Sequence, residues 1–208
     1  MNPDAKPLSE FKRLEQCLKA ESTPFKASAH NIIYHECFDK EQHTFVIQTG
    51  IVAIHRRPDD LLLGIVTTPF ILGLTAGMME HQQEYTMVAH SSCSGFYLPA
   101  ATARQLIQQS HLWHDAFCWL SWINRILEKR DMQLVGNNSY SQIRAMLLDM
   151  AEWDETLRSK IGVMNHIQRS TRISRSVVAE VLSALRQGNY INMNRGKLVS
   201  INRLPAEY

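Results

Sequence analysis

The chain of 208 residues lacks most of the patterns from which chemistry is read directly. Its four cysteines, Cys17, Cys37, Cys93 and Cys118, are scattered without a Cys-x-x-Cys pair. Neither a zinc site nor an iron–sulfur cluster is expected from that spacing. The opening residues, MNPDAKPLSEFKR, carry charge and no apolar run, so no signal peptide is expected. The thiols are then expected to be reduced, in a cytoplasmic protein, with buried packing as the role of each. A stretch of 19 residues free of charge, 61–79, contains Gly64, Pro69, Gly73 and Gly77. Its apolar pieces have the length of strands, which argues against a membrane span. No phosphate-binding glycine loop, nucleophile elbow or distinctive carboxylate pair occurs, so no enzyme activity and no catalytic residue are expected. The nine histidines include His111 and His114, three apart, and the separated His30 and His35. The close His-x-His of a cupin metal site is absent, so no metal and no cofactor are expected, although a haem held by a histidine stays open.

What is present concentrates in residues 163–200. A short helix is predicted to end near Ser170, followed by a turn through Thr171, Arg172 and Ile173. A second helix is predicted over 174–186, because Val178, Val181, Leu182 and Leu185 fall at i, i+3, i+4 and i+7. Ser174 suits its N-cap and Gly188-Asn189 its stop. Residues 190–193 and 197–201 flank Asn194-Arg195-Gly196 as a β-hairpin. Helix, turn, helix and hairpin make the plan of a winged helix-turn-helix, whose second helix enters the DNA major groove.

Charge supports that plan. The whole chain has formal net charge +2, yet 157–204 holds nine basic residues against one acidic, Glu180, leaving thirteen against nineteen elsewhere. A basic terminal region on an acidic body is the footprint of nucleic-acid binding.

Before this region the order is helix, strands, helix. Leu8, Phe11, Leu14 and Leu18 share one face of a helix over 8–20. Strands are predicted at 44–48, 51–55, 61–66, 70–74, 85–89 and 95–98, with Gly50 as a break and 56–60 as a turn. Short strands with regular turns indicate an antiparallel sandwich or barrel. Helices follow at 101–109 and 112–135. In the longer one Trp113, Phe117, Leu120, Asn124, Leu127, Asp131 and Leu134 recur near the heptad spacing. With Trp119 and Trp122 also present, one face is expected on the β-domain and another on a second copy of the chain, with Trp113, Phe117, Leu120, Asn124, Leu127 and Leu134 at the dimer interface. Gly136-Asn137-Asn138 reads as a linker, and Ser139-x-x-Gln142 as a capping box opening a helix with Ile143, Met146, Leu147 and Met150 inside. The resulting division is 1–110, N-terminal helix and sensor-like β-roll; 111–136, dimerisation helix; 137–208, winged helix-turn-helix.

Residues 48–54, QTGIVAI, resemble the glycine turn and strand of the β-roll in the Crp/Fnr family of bacterial regulators, and Pro69-Phe70 its next step. Residues 173–178, ISRSVV, resemble the opening of that family's recognition helix. The resemblance spans about 25–201 and is greatest to an enterobacterial branch. It implies an α+β fold, with a cyclic-nucleotide-binding-like antiparallel β-roll (jelly roll), a long dimerisation helix and a C-terminal winged helix-turn-helix. It also implies a homodimeric transcription regulator with double-stranded DNA and RNA polymerase as partners, in a stress-related role concerning peroxide.

On the same resemblance Arg175 reaches a guanine edge or a phosphate, for which its bidentate fork is suited. Ser174 caps the helix and touches phosphate, while Ser176 faces bases beside Val177 and Glu180. Arg169, Arg172, Arg195 and Lys197 contact phosphates. Three departures stand out. The cyclic-AMP receptors have Glu at the position of Ser176 and Arg at that of Glu180, so a different operator is expected. Arg172 occupies a place where a turn glycine is common, and a side chain there resists positive φ, so a differently built turn is expected. The β-roll has Ile71-Leu72-Gly73-Leu74 where cyclic-nucleotide binders have a Gly-Glu step, and Glu84-Tyr85 in place of an Arg-Ser pair. Cyclic AMP is therefore not an expected ligand, and the effector stays open. Two other readings are a ligand-binding or protein-interaction module whose winged helix contacts protein, and a cupin-like metal enzyme.

Overall fold

The computed structural model describes residues 5–35, 41–57, 59–79 and 85–206. The chain forms two compact units, Met1–Leu127 and Glu128–Tyr208.

The first unit opens with α1 (Leu8–Leu18) and a single 3-10 turn at Lys19–Glu21. Phe11, Leu14 and Leu18 of α1 are buried as expected, whereas Leu8 is about half exposed, because it stands at the helix start. Among the described residues eight strands follow: β1 (Thr23–Ala27), β2 (Ile32–His35), β3 (His43–Thr49), β4 (Ile51–Arg56), β5 (Leu61–Thr67), β6 (Phe70–Leu72), β7 (Tyr85–Ala89) and β8 (Cys93–Pro99). They form two four-stranded sheets in the orders β1-β8-β3-β6 and β2-β7-β4-β5. All pairings are antiparallel. Strands β1 and β2 are additions to the sequence reading; each is an edge strand stabilised by its partner rather than by a periodic signal of its own.

Strand β3 explains the layering. Its residues His43 to Ile47 are all buried. Val46 packs with α1, Phe70, Ile71 and Phe96, while Phe45 and Ile47 pack with Val52, Met87 and Ala89 of the opposite sheet. Alternate residues thus serve two cores, one between the sheets and one beneath helices. The chain passes from β3 to β4 through Gly50 at φ +101°, where a Cβ would lie 2.5 Å from the Cys93 sulfur. Glycine is required there on both counts.

Two further helices close the unit: α2 (Ala100–Gln109) and the start of α3 (Trp113–Leu134). Trp119 is fully buried, and its indole N–H donates to the Ile71 carbonyl at 3.0 Å. Phe11, Phe70 and Trp122 surround it at centroid distances of 5.7, 5.6 and 5.0 Å. Arg13 of α1 donates through Nε to the buried Asp115 carboxylate at 2.9 Å. A carboxylate this enclosed is tolerated because a cation meets it.

The second unit contains the last turns of α3, then α4 (Ser139–Glu152), α5 (Glu155–Lys160), α6 (Val163–Thr171), α7 (Arg175–Gln187) and the hairpin β9 (Ile191–Asn194) with β10 (Lys197–Ile201). Helix α5 has no counterpart in the sequence reading; at six residues it is too short to show a period, and Asp154 caps it at 2.9 Å from the Leu157 amide. The core is drawn from Ile143, Leu147, Met150, Val163, Ile167, Val178, Leu182, Leu185 and Leu198. The expected capping box is corrected by one position. Asn138, not Ser139, caps α4 by accepting the Ser141 amide at 2.8 Å, and Gln142 donates to the Asn137 carbonyl.

Candidate nucleic-acid interface

Helices α6 and α7 meet at a turn whose construction corrects the expectation for Arg172. Arg172 itself adopts the left-handed conformation, φ +65° and ψ +10°, and its N–H donates to the Gln168 carbonyl at 3.0 Å. Thr171 helps: its hydroxyl donates to the Ile167 carbonyl at 2.7 Å and accepts the Ile173 amide at 3.3 Å. The turn therefore keeps the geometry that glycine would supply, at a cost of about 1–2 kcal/mol for the Cβ.

Ser174 then caps α7, accepting the Val177 amide at 3.4 Å, with its hydroxyl 3.0 Å from that of Ser176. Val178, Val181, Leu182 and Leu185 are the buried face, as the periodicity indicated. At about 100° per residue, Ser176, Glu180, Ser183 and Gln187 lie within about 30° of the direction opposite that face. All four are exposed. Arg175 and Arg186, also exposed, stand about 90–110° round the helix on one flank. Val177 is half-buried and stands about 90° round the helix on the opposite flank. Ser183 and Gln187 are not among the residues expected from the sequence; their signal is the i+7 and i+11 spacing from Ser176.

The remaining basic candidates frame α7. Arg169 is exposed in the last turn of α6, and Arg172 is exposed at the turn. Arg195 and Gly196 have φ of +46° and +76°, the positive pair required by a two-residue hairpin turn, and Arg195 projects at the exposed tip. Lys197 is placed differently: it is half-buried and its ammonium donates to the Lys160 carbonyl at the end of α5. Gly196 in turn accepts the Val163 amide at 3.0 Å, fixing the wing to the start of α6.

Beneath this surface His166 of α6 is buried against Trp153, with ring centroids 4.9 Å apart at 73°. Neither imidazole nitrogen has a hydrogen-bond partner among the described residues. Burial pushes its pKa down to about 4.

Helix α3 divides the aromatic residues between two directions. Trp119 and Trp122 pack on the β-roll core, whereas Trp113 and Phe117 are exposed, Phe117 by 70%. Asn124 and Leu127 are also exposed, but Leu120 is half-buried on the β-roll core and Leu134 is half-buried. Ile126, Met132 and Val135 add exposed apolar surface that the heptad spacing did not include.

In the β-roll, Gly73 at φ +84° lies so close to β3 that a Cβ would sit 2.3 Å from the His43 carbonyl oxygen. Leu74, in the place of the acid, is buried. Glu84 lies outside the described residues. Cys93 is buried, its thiol donates to the Ile51 and Ser91 carbonyls, and burial raises its pKa. Cys17 and Cys118 correct the expectation of buried packing: both are half-exposed, Cys17 bonded to Ser110 and Cys118 placed 3.5 Å from the His114 ring. Cys37 lies outside the described residues. Among the described residues no three His, Cys, Asp or Glu side chains could hold a metal ion together, and no helix is long and apolar enough to cross a membrane.

A β-roll followed by a long helix and a winged helix-turn-helix is a two-part architecture that transcription regulators use. Residues 24–110 match the cyclic nucleotide-binding domain family and 139–206 the winged helix-turn-helix DNA-binding family. Among solved structures, the c-di-GMP-responsive global regulator CLP of Xanthomonas campestris is similar with a TM-score of 0.69 at 18% identity, over 92% of this chain and 99% of that one. A CRP-family transcriptional regulator of Thermus thermophilus gives 0.64 at 18%, over 86% and 92%. Closer in sequence are proteins named inhibitor of hydrogen peroxide resistance: that of Salmonella typhimurium is 52% identical over 204 residues and that of Escherichia coli K12 52% over 203, each covering 98% of both chains. The chain belongs to the family of these inhibitors of hydrogen peroxide resistance, and its fold is that of the Crp/Fnr regulators.

Proposed function

We propose that the protein binds promoter DNA as a homodimer, without cyclic AMP, and regulates genes of the hydrogen-peroxide response. The observation that carries this is the outward face of α7, polar and exposed opposite its buried stripe, with Arg175 and Arg186 on its flank and Arg169, Arg172 and Arg195 around it. Arg175 takes a guanine edge or a phosphate, Ser174 and Ser176 approach the backbone and bases beside Val177 and Glu180, and the surrounding arginines hold phosphates, with Lys197 the least free to do so. The stripe of Trp113, Phe117, Leu120, Asn124, Leu127 and Leu134 supports pairing along α3, although Leu120 is shared with the β-roll core. RNA polymerase is the further partner of a promoter-bound regulator. The peroxide role follows the names of the relatives that are 52% identical. A buried Leu74 at the position of a ribose-binding acid supports independence from cyclic AMP.

The test begins with DNA recovered by genome-wide mapping of bound sites. In gel shifts the affinity should fall steeply with salt, as counterions return to the phosphates. The protein should sediment as a dimer of 23.9-kDa chains, and added cyclic AMP should change neither result. Absence of binding at low salt, or a flat salt response, would instead favour a winged helix that contacts protein.

A further inference from the structure

The outward stripe of α7 carries one charge, and it is negative. Ser176, Glu180, Ser183 and Gln187 make up the stripe, with the arginines at its margin. Glu180 is exposed and makes no ion pair among the described residues. Gln187 donates to Ser183 at 3.4 Å, and the Ser174 and Ser176 hydroxyls lie 3.0 Å apart. Glu180 is left as the strongest acceptor on the stripe. A carboxylate brought between two phosphate backbones is repelled unless a donor on a base edge meets it. In the major groove the donors are the exocyclic amines of cytosine and adenine. Adenine places the N7 lone pair beside its amine, which repels a carboxylate. Cytosine offers its N4 amine without an acceptor of its own alongside.

We infer that Glu180 is a specificity-determining residue that accepts a hydrogen bond from the N4 amine of a cytosine in each half-site. The inference rests on the reading of α7 as a DNA recognition helix. Glu180 thereby excludes thymine and guanine, whose major-groove edges present acceptors to it. Its discrimination should be about 5- to 150-fold at one position, the range of a specific base contact.

Selection from randomised duplex DNA by the full chain, with the wild type, Glu180→Ala and Glu180→Gln in parallel, tests this. Glu180 is exposed, and circular dichroism checks that both variants fold. The wild type should enrich cytosine at one position per half-site. Glu180→Ala should lose that preference while keeping the rest of the motif, and Glu180→Gln should move it toward adenine, to which an amide binds through N6 and N7. An unchanged motif in Glu180→Ala, with affinity raised equally on all sequences, would make Glu180 a mere electrostatic brake and overturn the inference alone. Enrichment of adenine at that position by the wild type would also overturn it. Failure of the wild type to enrich any sequence at low salt would remove the DNA-binding reading together with it.

Discussion

Acidification should weaken the winged-helix unit through one residue, His166. In the folded chain its imidazole is buried against Trp153 with neither nitrogen hydrogen-bonded among the described residues, and its pKa falls from 6.5 to about 4. The unfolded chain therefore binds the proton more readily between those values. Stability contributed by the neutral ring is present above pH 6.5 and is lost as the pH falls toward 4. A shift of about 2.5 units corresponds to roughly 3 kcal/mol at 1.36 kcal/mol per unit, nearly all lost by pH 4. Asp149 works the other way: burial, with Glu152 nearby, raises its pKa against the pull of Lys129, so its penalty is relieved on acidification. Comparison with His166→Phe, which keeps an aromatic ring beside Trp153, isolates the histidine. Hydrogen exchange of the α6 and α7 amides from pH 7 to 4 should show opening free energies that fall about 3 kcal/mol further in the wild type than in the variant. Proton NMR of the imidazole supplies the direct measurement. A His166 that titrates near 6.5 in the folded protein, or equal slopes for the two proteins, would refute the reasoning.

Arg175→Ala should weaken binding to the specific site by about 1–3 kcal/mol; an unchanged footprint and affinity would remove it from the interface. Phe117→Asp should yield a monomer in sedimentation with the β-roll intact, and a persisting dimer would place the seam elsewhere. Phe117 is a cleaner probe than Leu120, which also packs on the β-roll core. Arg172→Gly should raise the stability of the winged-helix unit by about 1 kcal/mol, as the left-handed Cβ is removed, while lowering DNA affinity on all sequences and flattening its salt dependence. A loss of stability in thermal unfolding would show that other contacts of the Arg172 side chain outweigh the strain.

The output region was legible because its signals are local. The stripe Val178, Val181, Leu182 and Leu185 needs only a 3.6-residue period, Ser174 caps within three residues, and the hairpin turn is made by the adjacent Arg195 and Gly196. The β-roll was legible as alternating strands and glycine breaks, and the resemblance at 48–54 and 173–178 joined the two into one family. The edge strands β1 and β2 were not, because pairing with β8 and β7 makes them strands. Helix α3 is apolar on more than one side, so spacing could nominate Leu120 for a seam that tertiary packing partly withdraws. The same packing turned Trp119 and Trp122 inward and left Phe117 outside.

The sequence by itself determined the order of elements, the face of α7 that is buried and the basic balance of residues 157–204. Only the tertiary structure decided that Arg172 takes a left-handed turn, that Asn138 caps α4, that Lys197 is engaged by α5 and that His166 has no hydrogen-bond partner among the described residues. The engagement of Lys197 and the isolation of His166 depend on which distant groups surround a side chain, whereas Arg172 and Asn138 settle between local alternatives that the residue types alone leave open.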